Sequence, residues 1–160
     1  MTQVLFTLTF AVVAPFWALM IILPRWRWTE GIIASPLIVA GPVVIYIVLL
    51  AKIFPEVWQS VSAPDLPVLQ ALFATPVGAA VVWAHVIAFD LFVGRWIYLD
   101  GRRIGISPLL VGPVLVLTIF LAPVGFAAYL GARSIGPLRT DRHPASPLLD
   151  ASAGQHPTTR

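Results

Sequence analysis

Residues 75–101, TPVGAAVVWAHVIAFDLFVGRWIYLDG, are long and apolar enough to cross a bilayer, yet they carry His85, Asp90 and Arg95. A spanning helix needs about 20 mainly apolar residues. Holding a charged side chain near the bilayer centre costs roughly 2.5 to 3.5 kcal/mol on insertion scales, so an aspartate kept there points to function and calls for a partner. Thr75 as N-cap and Pro76 at the first helical position suit the unpaired amides of a helix start. A helix from Pro76 to Tyr98 has its midpoint near Ile87, which puts Asp90 roughly 4 to 5 Å from the midplane.

The remaining residues set this stretch in a membrane. The chain has 160 residues, 59% hydrophobic and 11% charged, with a mean hydropathy of +0.91, whereas soluble domains are about 25% charged. The composition predicts an all-α membrane protein: one domain over residues 1–133 with four transmembrane helices, then a tail over 134–160. Cysteine is absent, which excludes disulfides, thiolate nucleophiles and cysteine-held metal within the chain. The net charge of +3 comes from arginines scattered over short loops and the tail. That scatter suits anionic lipid headgroups and makes no nucleic-acid-binding stripe.

Residues 4–23 form the first apolar run. It ends at Pro24 and an interfacial anchor of Arg25, Trp26, Arg27 and Trp28, so it reads as a retained helix and not a cleaved signal. The second span, 32–51, is interrupted at Gly41 and Pro42, where proline would leave the Ile38 carbonyl without its helical donor. Residues 52–73, KIFPEVWQSVSAPDLPVLQALF, bring Phe54, Val57, Trp58 and Val61 to near-helical spacing. They read as an amphipathic segment lying in the headgroup region. Ser107 and Pro108 open a fourth span reaching Leu130, bent at Pro113 and Pro123. Thr118, Ala122, Gly125, Tyr129 and Arg133 form a small and polar stripe on it that packs against protein. From Ser134 onward, Pro, Ser and charge without apolar periodicity predict disorder, and His143 and His156 lie there. In a four-span arrangement Arg25, Arg27, Arg102 and Arg103 balance Lys52, Arg133, Arg139 and Arg142 across the membrane; only Arg95 tips the count toward short turns inside and termini outside.

Partners for Asp90 must come from other helices, because His85 and Arg95 are each five residues away and about 140° around the helix. Thr118, in an antiparallel fourth helix, is expected at the depth of Asp90, and the Ile38 carbonyl within about a turn of it. The expected cluster is Asp90 and Thr118, with His85 as a further member and Gly94 admitting another backbone. Trp83, Arg95 and Tyr129 complete the set of candidate binding or structural residues. Arg95 is placed to snorkel to the headgroups. One histidine at membrane depth does not make a bis-histidine haem site, and no metal site is expected.

The run from Trp83 to Trp96, WAHVIAFDLFVGRW, resembles the signature of the abscisic-acid-deficient-4-like family of integral membrane proteins, and LVLTIFLAPVGFAAYLGAR, from Leu115 to Arg133, resembles its second block. The resemblance covers most of residues 1–133. It implies a role in carotenoid metabolism, since plant members are implicated in forming neoxanthin from violaxanthin in chloroplast membranes. With no Arg-rich or Ser-rich transit pattern before the first span, the expected location is a bacterial inner membrane. Turning an epoxide into an allenic alcohol is an isomerisation that needs an acid at the oxygen and a base at a carbon, and no redox cofactor. In that carotenoid-modifying reading Asp90 is the acid and His85 the base. In the alternative the protein is a non-catalytic scaffold or lipid-binding accessory of a membrane enzyme or of its own copies, with Asp90 and Thr118 holding helices together.

Overall fold

A computed structural model describes residues 1–134, and those residues are helices joined by turns, with no strand among them. The tail expected over 134–160 lies outside the described residues except for Ser134, which ends the last helix. The scaffold is built on α6 (Pro76–Arg103), whose 28 residues make a rod about 42 Å long. The Thr75 hydroxyl caps it as expected, accepting from the Gly78 amide at 3.0 Å. Its far end runs past Tyr98 to Arg103, because Asp100, Gly101 and Arg102 continue the helix instead of forming a turn.

The first helix, α1 (Thr2–Ile22), runs parallel to α6 and in step with it. Phe6 stacks on Trp83 at 5.4 Å between centroids. Farther along, the Trp17 indole lies on Gly94, where a Cβ would sit 2.3 Å from its Cη2. Gly94 therefore admits an aromatic ring, where a neighbouring backbone was expected. The chain then returns antiparallel through α2 (Thr29–Ala34), a 3-10 turn (Pro36–Val39) and α3 (Ala40–Leu50). Glu30 meets Arg102 at one end of α6, and Leu49 clusters with Ala80, Val81 and Ala84 at the other. The break in this crossing falls at Ser35 and Pro36. Pro42 lies in the first turn of α3, where a missing amide hydrogen costs little, so it does not interrupt a helix.

Beyond Leu50 the direction changes. α4 (Phe54–Ser62) is turned 94° from the 36–50 segment, and Phe54, Trp58 and Val61 are exposed on it. The exposed apolar side chains on this turned helix fit the amphipathic character predicted for the segment. α5 (Leu66–Phe73) leads back to α6, and its Leu72 carbonyl packs where a Cβ on Gly78 would lie, 2.0 Å away.

Among the described residues, only α1 and α6 are single helices long and apolar enough to cross a membrane, with a bent pair as a third candidate. The fourth spanning helix expected over 107–130 is instead a hairpin, α7 (Pro108–Phe120) and α8 (Ala122–Ser134). Leu121 leaves helical geometry with φ −145° and ψ 71°, and Pro123 offers no amide to continue the α7 ladder. Gly125 then lets the two helices close: a Cβ there would lie 2.3 Å from Thr118 Oγ1 and 2.7 Å from Thr118 Cα. Tyr129 and Arg133 on α8 come back to Asp100, beside the place where α7 began. Each hairpin helix has 13 residues, about 20 Å against a hydrocarbon core of about 30 Å.

The hairpin alters the charge balance. Arg133 joins Arg25, Arg27, Arg102 and Arg103 at one end of the bundle, leaving Lys52 at the other among the described residues, and the near tie in charge becomes a clear asymmetry. Because the chain lacks cysteine, the fold can be tested with single-cysteine variants. S134C and R103C are expected to label from the same side of sealed vesicles and K52C from the opposite side; S134C labelling with K52C would restore a fourth crossing. Gly125→Val is expected to lower stability by roughly 1 to 3 kcal/mol through overpacking, read as thermal unfolding in detergent. Gly112→Val, where a Cβ meets nothing within 4 Å, is the matched control and should unfold like the parent.

Candidate functional site

Asp90 falls at the midpoint of α6, deeper than a helix ending at Tyr98 would place it. The residue keeps 9% of its surface exposed, and among the described residues nothing forms a hydrogen bond or ion pair with its carboxyl. Its position on α6 marks a boundary. Gly94, Ile97 and Gly101 follow it by four, seven and eleven residues, and all three are buried. Val86, Trp83 and Ala79 precede it by the same steps, and all three are exposed. Steps of four, seven and eleven return a helix to within roughly 40° of one face, so a single stripe passes from covered to open at Asp90.

The cover is the hairpin. Gly101 faces Val111 of α7 and Tyr129 of α8, with a Cβ there 3.1 Å and 3.7 Å from them. From Val111, α7 descends nine residues to Phe120, about 14 Å, while Asp90 lies eleven residues, about 16 Å, below Gly101. The hairpin tip therefore stops about level with Asp90, and Phe120, Leu121 and Val124 at the tip are exposed. On the α1 side Gly94 carries Trp17, and Val13, level with Asp90, is fully buried.

The other candidate residues are placed elsewhere. His85 is exposed on a different face, stacked on Phe89 at 4.9 Å and tilted toward Tyr46 at 5.5 Å. Thr118 is fully buried but donates to Val114 O of its own helix at 2.8 Å, so the expected Asp90–Thr118 hydrogen bond is not made. Its hydroxyl is directed to the α7 ladder, and its packing partner is Gly125. The Ile38 carbonyl belongs to the 3-10 turn that leads into α3, four residues before Pro42. Trp83 stacks on Phe6 of α1. Among the described residues no three metal-ligating side chains converge.

Arg95 points inward, not to the headgroups. Its Nε donates to Ile33 O at 2.8 Å and its Nη2 to Ala34 O. These are the carbonyls that the break at Ser35 and Pro36 deprives of helical donors, since Leu37 N is turned to Ser35 Oγ at 3.3 Å. A planar guanidinium with several donors suits two adjacent carbonyls. Nearer the end of α6, Tyr129 donates to Asp100 Oδ2 at 2.7 Å. Arg133 pairs with the same oxygen at 3.3 Å and lies 5.8 Å over the Trp96 ring. This latch ties α8 to α6. Asp100 and Trp96 were missed as members; the signal was the matched four-residue spacing of Trp96 with Asp100 and of Tyr129 with Arg133.

The architecture is that of a small helical membrane protein with a half-depth hairpin and one unpaired acid at its tip. Residues 4–129 match the ABA DEFICIENT 4-like family, and the chain belongs to that family. It is similar to the protein named "Protein ABA DEFICIENT 4, chloroplastic" from Arabidopsis thaliana, 25% identical over 130 residues that make up 77% of this chain and 57% of the relative. The chain thus spans little more than half of that relative's length. The relative's name places it in the chloroplast, so the comparison lends no support to a bacterial inner membrane. No solved structure is significantly similar to the chain.

Arg95→Leu is expected to strand the carbonyl of buried Ile33, at about 1 to 3 kcal/mol for a buried acceptor left unpaired, with a smaller loss at the exposed Ala34 carbonyl. Arg95→Lys, a point donor without the fork, should recover only part of the loss. Thermal unfolding in detergent checks both, and an Arg95→Leu variant as stable as the parent would return Arg95 to the role of an interfacial anchor.

Proposed function

We propose that this protein acts in carotenoid or xanthophyll metabolism, with Asp90 as the group that meets an oxygen of the isoprenoid. The supporting observation is Asp90 itself, a buried residue at the midpoint of α6 whose carboxyl has no partner among the described residues, where an acid that merely joined helices would be bonded to one of them. Membership of the ABA DEFICIENT 4-like family supports the substrate class.

The chemistry is the isomerisation of an epoxide to an allenic alcohol. Asp90 in its acid form gives its proton to the epoxide oxygen as the C–O bond opens. A proton then leaves a carbon of the polyene, and its electron pair completes the allene. Atoms and electrons balance without a second reactant. His85 is not suited to receive that proton, because it lies about 140° around α6 from Asp90 and the two reacting substrate atoms are only a few bond lengths apart. The Asp90 carboxylate, left behind by the first transfer, takes the proton and regenerates the acid.

The scaffold reading loses its main support, because Asp90 makes no interhelical bond and Thr118 bonds within α7. The test is the pigment profile of carotenoid-producing cells with the intact chain, Asp90→Asn and His85→Ala. The expected result is a product that depends on the protein, is lost by at least the 10²-fold typical of a removed proton-transfer group in Asp90→Asn, and persists in His85→Ala. A product retained in Asp90→Asn would remove the acid role.

A further inference from the structure

The stripe on α6 has a lower half that the proposed chemistry does not use. Ala79, Trp83 and Val86 lie on the face of Asp90, on the side away from the hairpin, and all are exposed, with Phe6 of α1 stacked beside Trp83. The hairpin stops level with Asp90, so this part of the stripe lacks the cover that Val111 and Tyr129 give Gly101, while Gly94 is covered from the α1 side by Trp17. In a bilayer its neighbour is lipid. Its upper end is closed by the hairpin tip and holds Asp90, a residue 9% exposed whose carboxyl has no hydrogen bond or ion pair among the described residues. Its lower end, at Ala79, is near the start of α6, where α5 joins.

We infer that the stripe from Ala79 through Trp83 and Val86 to Asp90 is a lateral binding groove for a long unsaturated chain with an oxygen at one end. The ligand enters oxygen-first from the leaflet on the α4 and α5 side, seats its chain against Trp83, and stops with its oxygen at Asp90. The inference rests on the reading that Asp90 meets an isoprenoid oxygen and adds the path, the leaflet and the end-on pose. From Ala79 to Asp90 the groove is about 16 Å long, so it takes the terminal portion of a long polyene and leaves the remainder in lipid. An indole face suits a flat conjugated chain, and Phe6 holds that indole in place. Interfacial α4, turned 94° from the 36–50 segment, borders the leaflet from which the ligand comes.

The test uses the full chain in detergent with retinol, a polyene alcohol, as the probe and its oxygen-free hydrocarbon counterpart as the comparison. The fluorescence of bound retinol reads affinity. Retinol is expected to bind more tightly than the hydrocarbon. Ala79→Trp and Val86→Trp, which fill the groove at its two ends from exposed positions, should each raise the apparent Kd about tenfold, which is about 1.4 kcal/mol. Leu109→Trp, on the outer face of α7 where the side chain is 83% exposed, should leave it unchanged. Equal binding of the two probes, parental affinity in both groove variants, or an equal loss in Leu109→Trp would each overturn the groove. The acid role is judged separately. Product lost in Asp90→Asn with normal retinol binding in Val86→Trp keeps the acid and removes the groove, whereas product retained in Asp90→Asn with binding lost in Val86→Trp does the reverse.

Discussion

A backbone carbonyl in hydrocarbon has no water to turn to, so each interruption of a membrane helix must be covered from within the protein. Two interruptions shape this molecule. At Ser35 and Pro36 the second crossing breaks, and Arg95 of α6 reaches over to the two carbonyls left open. At Leu121 the chain turns back on itself, and Gly125 allows α8 to close on Thr118 within the depth of the membrane. Remove either arrangement and unpaired backbone would face lipid. The long helix α6 is the element against which both breaks are resolved, which is why its apolar sequence still carries an arginine and an aspartate.

The second break also makes the site. A full fourth crossing would have buried the whole stripe of α6 from Ala79 to Gly101. A hairpin of half depth covers the part around Gly101 and ends about level with Asp90, while Trp17 of α1 covers Gly94. Asp90 thus stands between the buried residues above it and the exposed Val86, Trp83 and Ala79 below it. Among the described residues no helix is bonded to that carboxyl.

At the arginine-bearing end, ion pairs and aromatic contacts set the geometry that the hydrophobic effect cannot set within lipid. Glu30 and Pro24 O take the Arg102 guanidinium, at 2.8 and 2.9 Å. Tyr129 and Arg133 share Asp100. Both latches bind an element to the last turns of α6, so the connection after α1 and the end of α8 are held at the same level. Trp17 against Gly94 then sets how closely α1 approaches.

The sequence by itself determined the all-helical class with apolar helices fit to span a membrane, the start of α6 at Thr75 and Pro76, the amphipathic character of α4, and the burial of Asp90 within an apolar helix. These follow from local quantities: hydropathy over a window, a cap beside a proline, the spacing of Phe54, Trp58 and Val61, and the cost of a carboxyl at depth. Its two family-like blocks also matched the family that residues 4–129 confirm. Only the tertiary structure decided the rest. Pro113 and Pro123 look equivalent in the sequence, yet α7 passes through the first and the chain folds back at the second, because Gly125 offers Thr118 a surface without a Cβ. Arg95 resembles an anchor until the carbonyls it covers, more than sixty residues earlier in the chain, are brought beside it. His85 and Asp90 look like a pair by proximity in sequence, but the helix turns them to different faces, and which face stays open depends on how far a hairpin from the other end of the domain descends. Hydropathy records how much of a segment prefers lipid; it does not record where a distant backbone will come close enough to cover it.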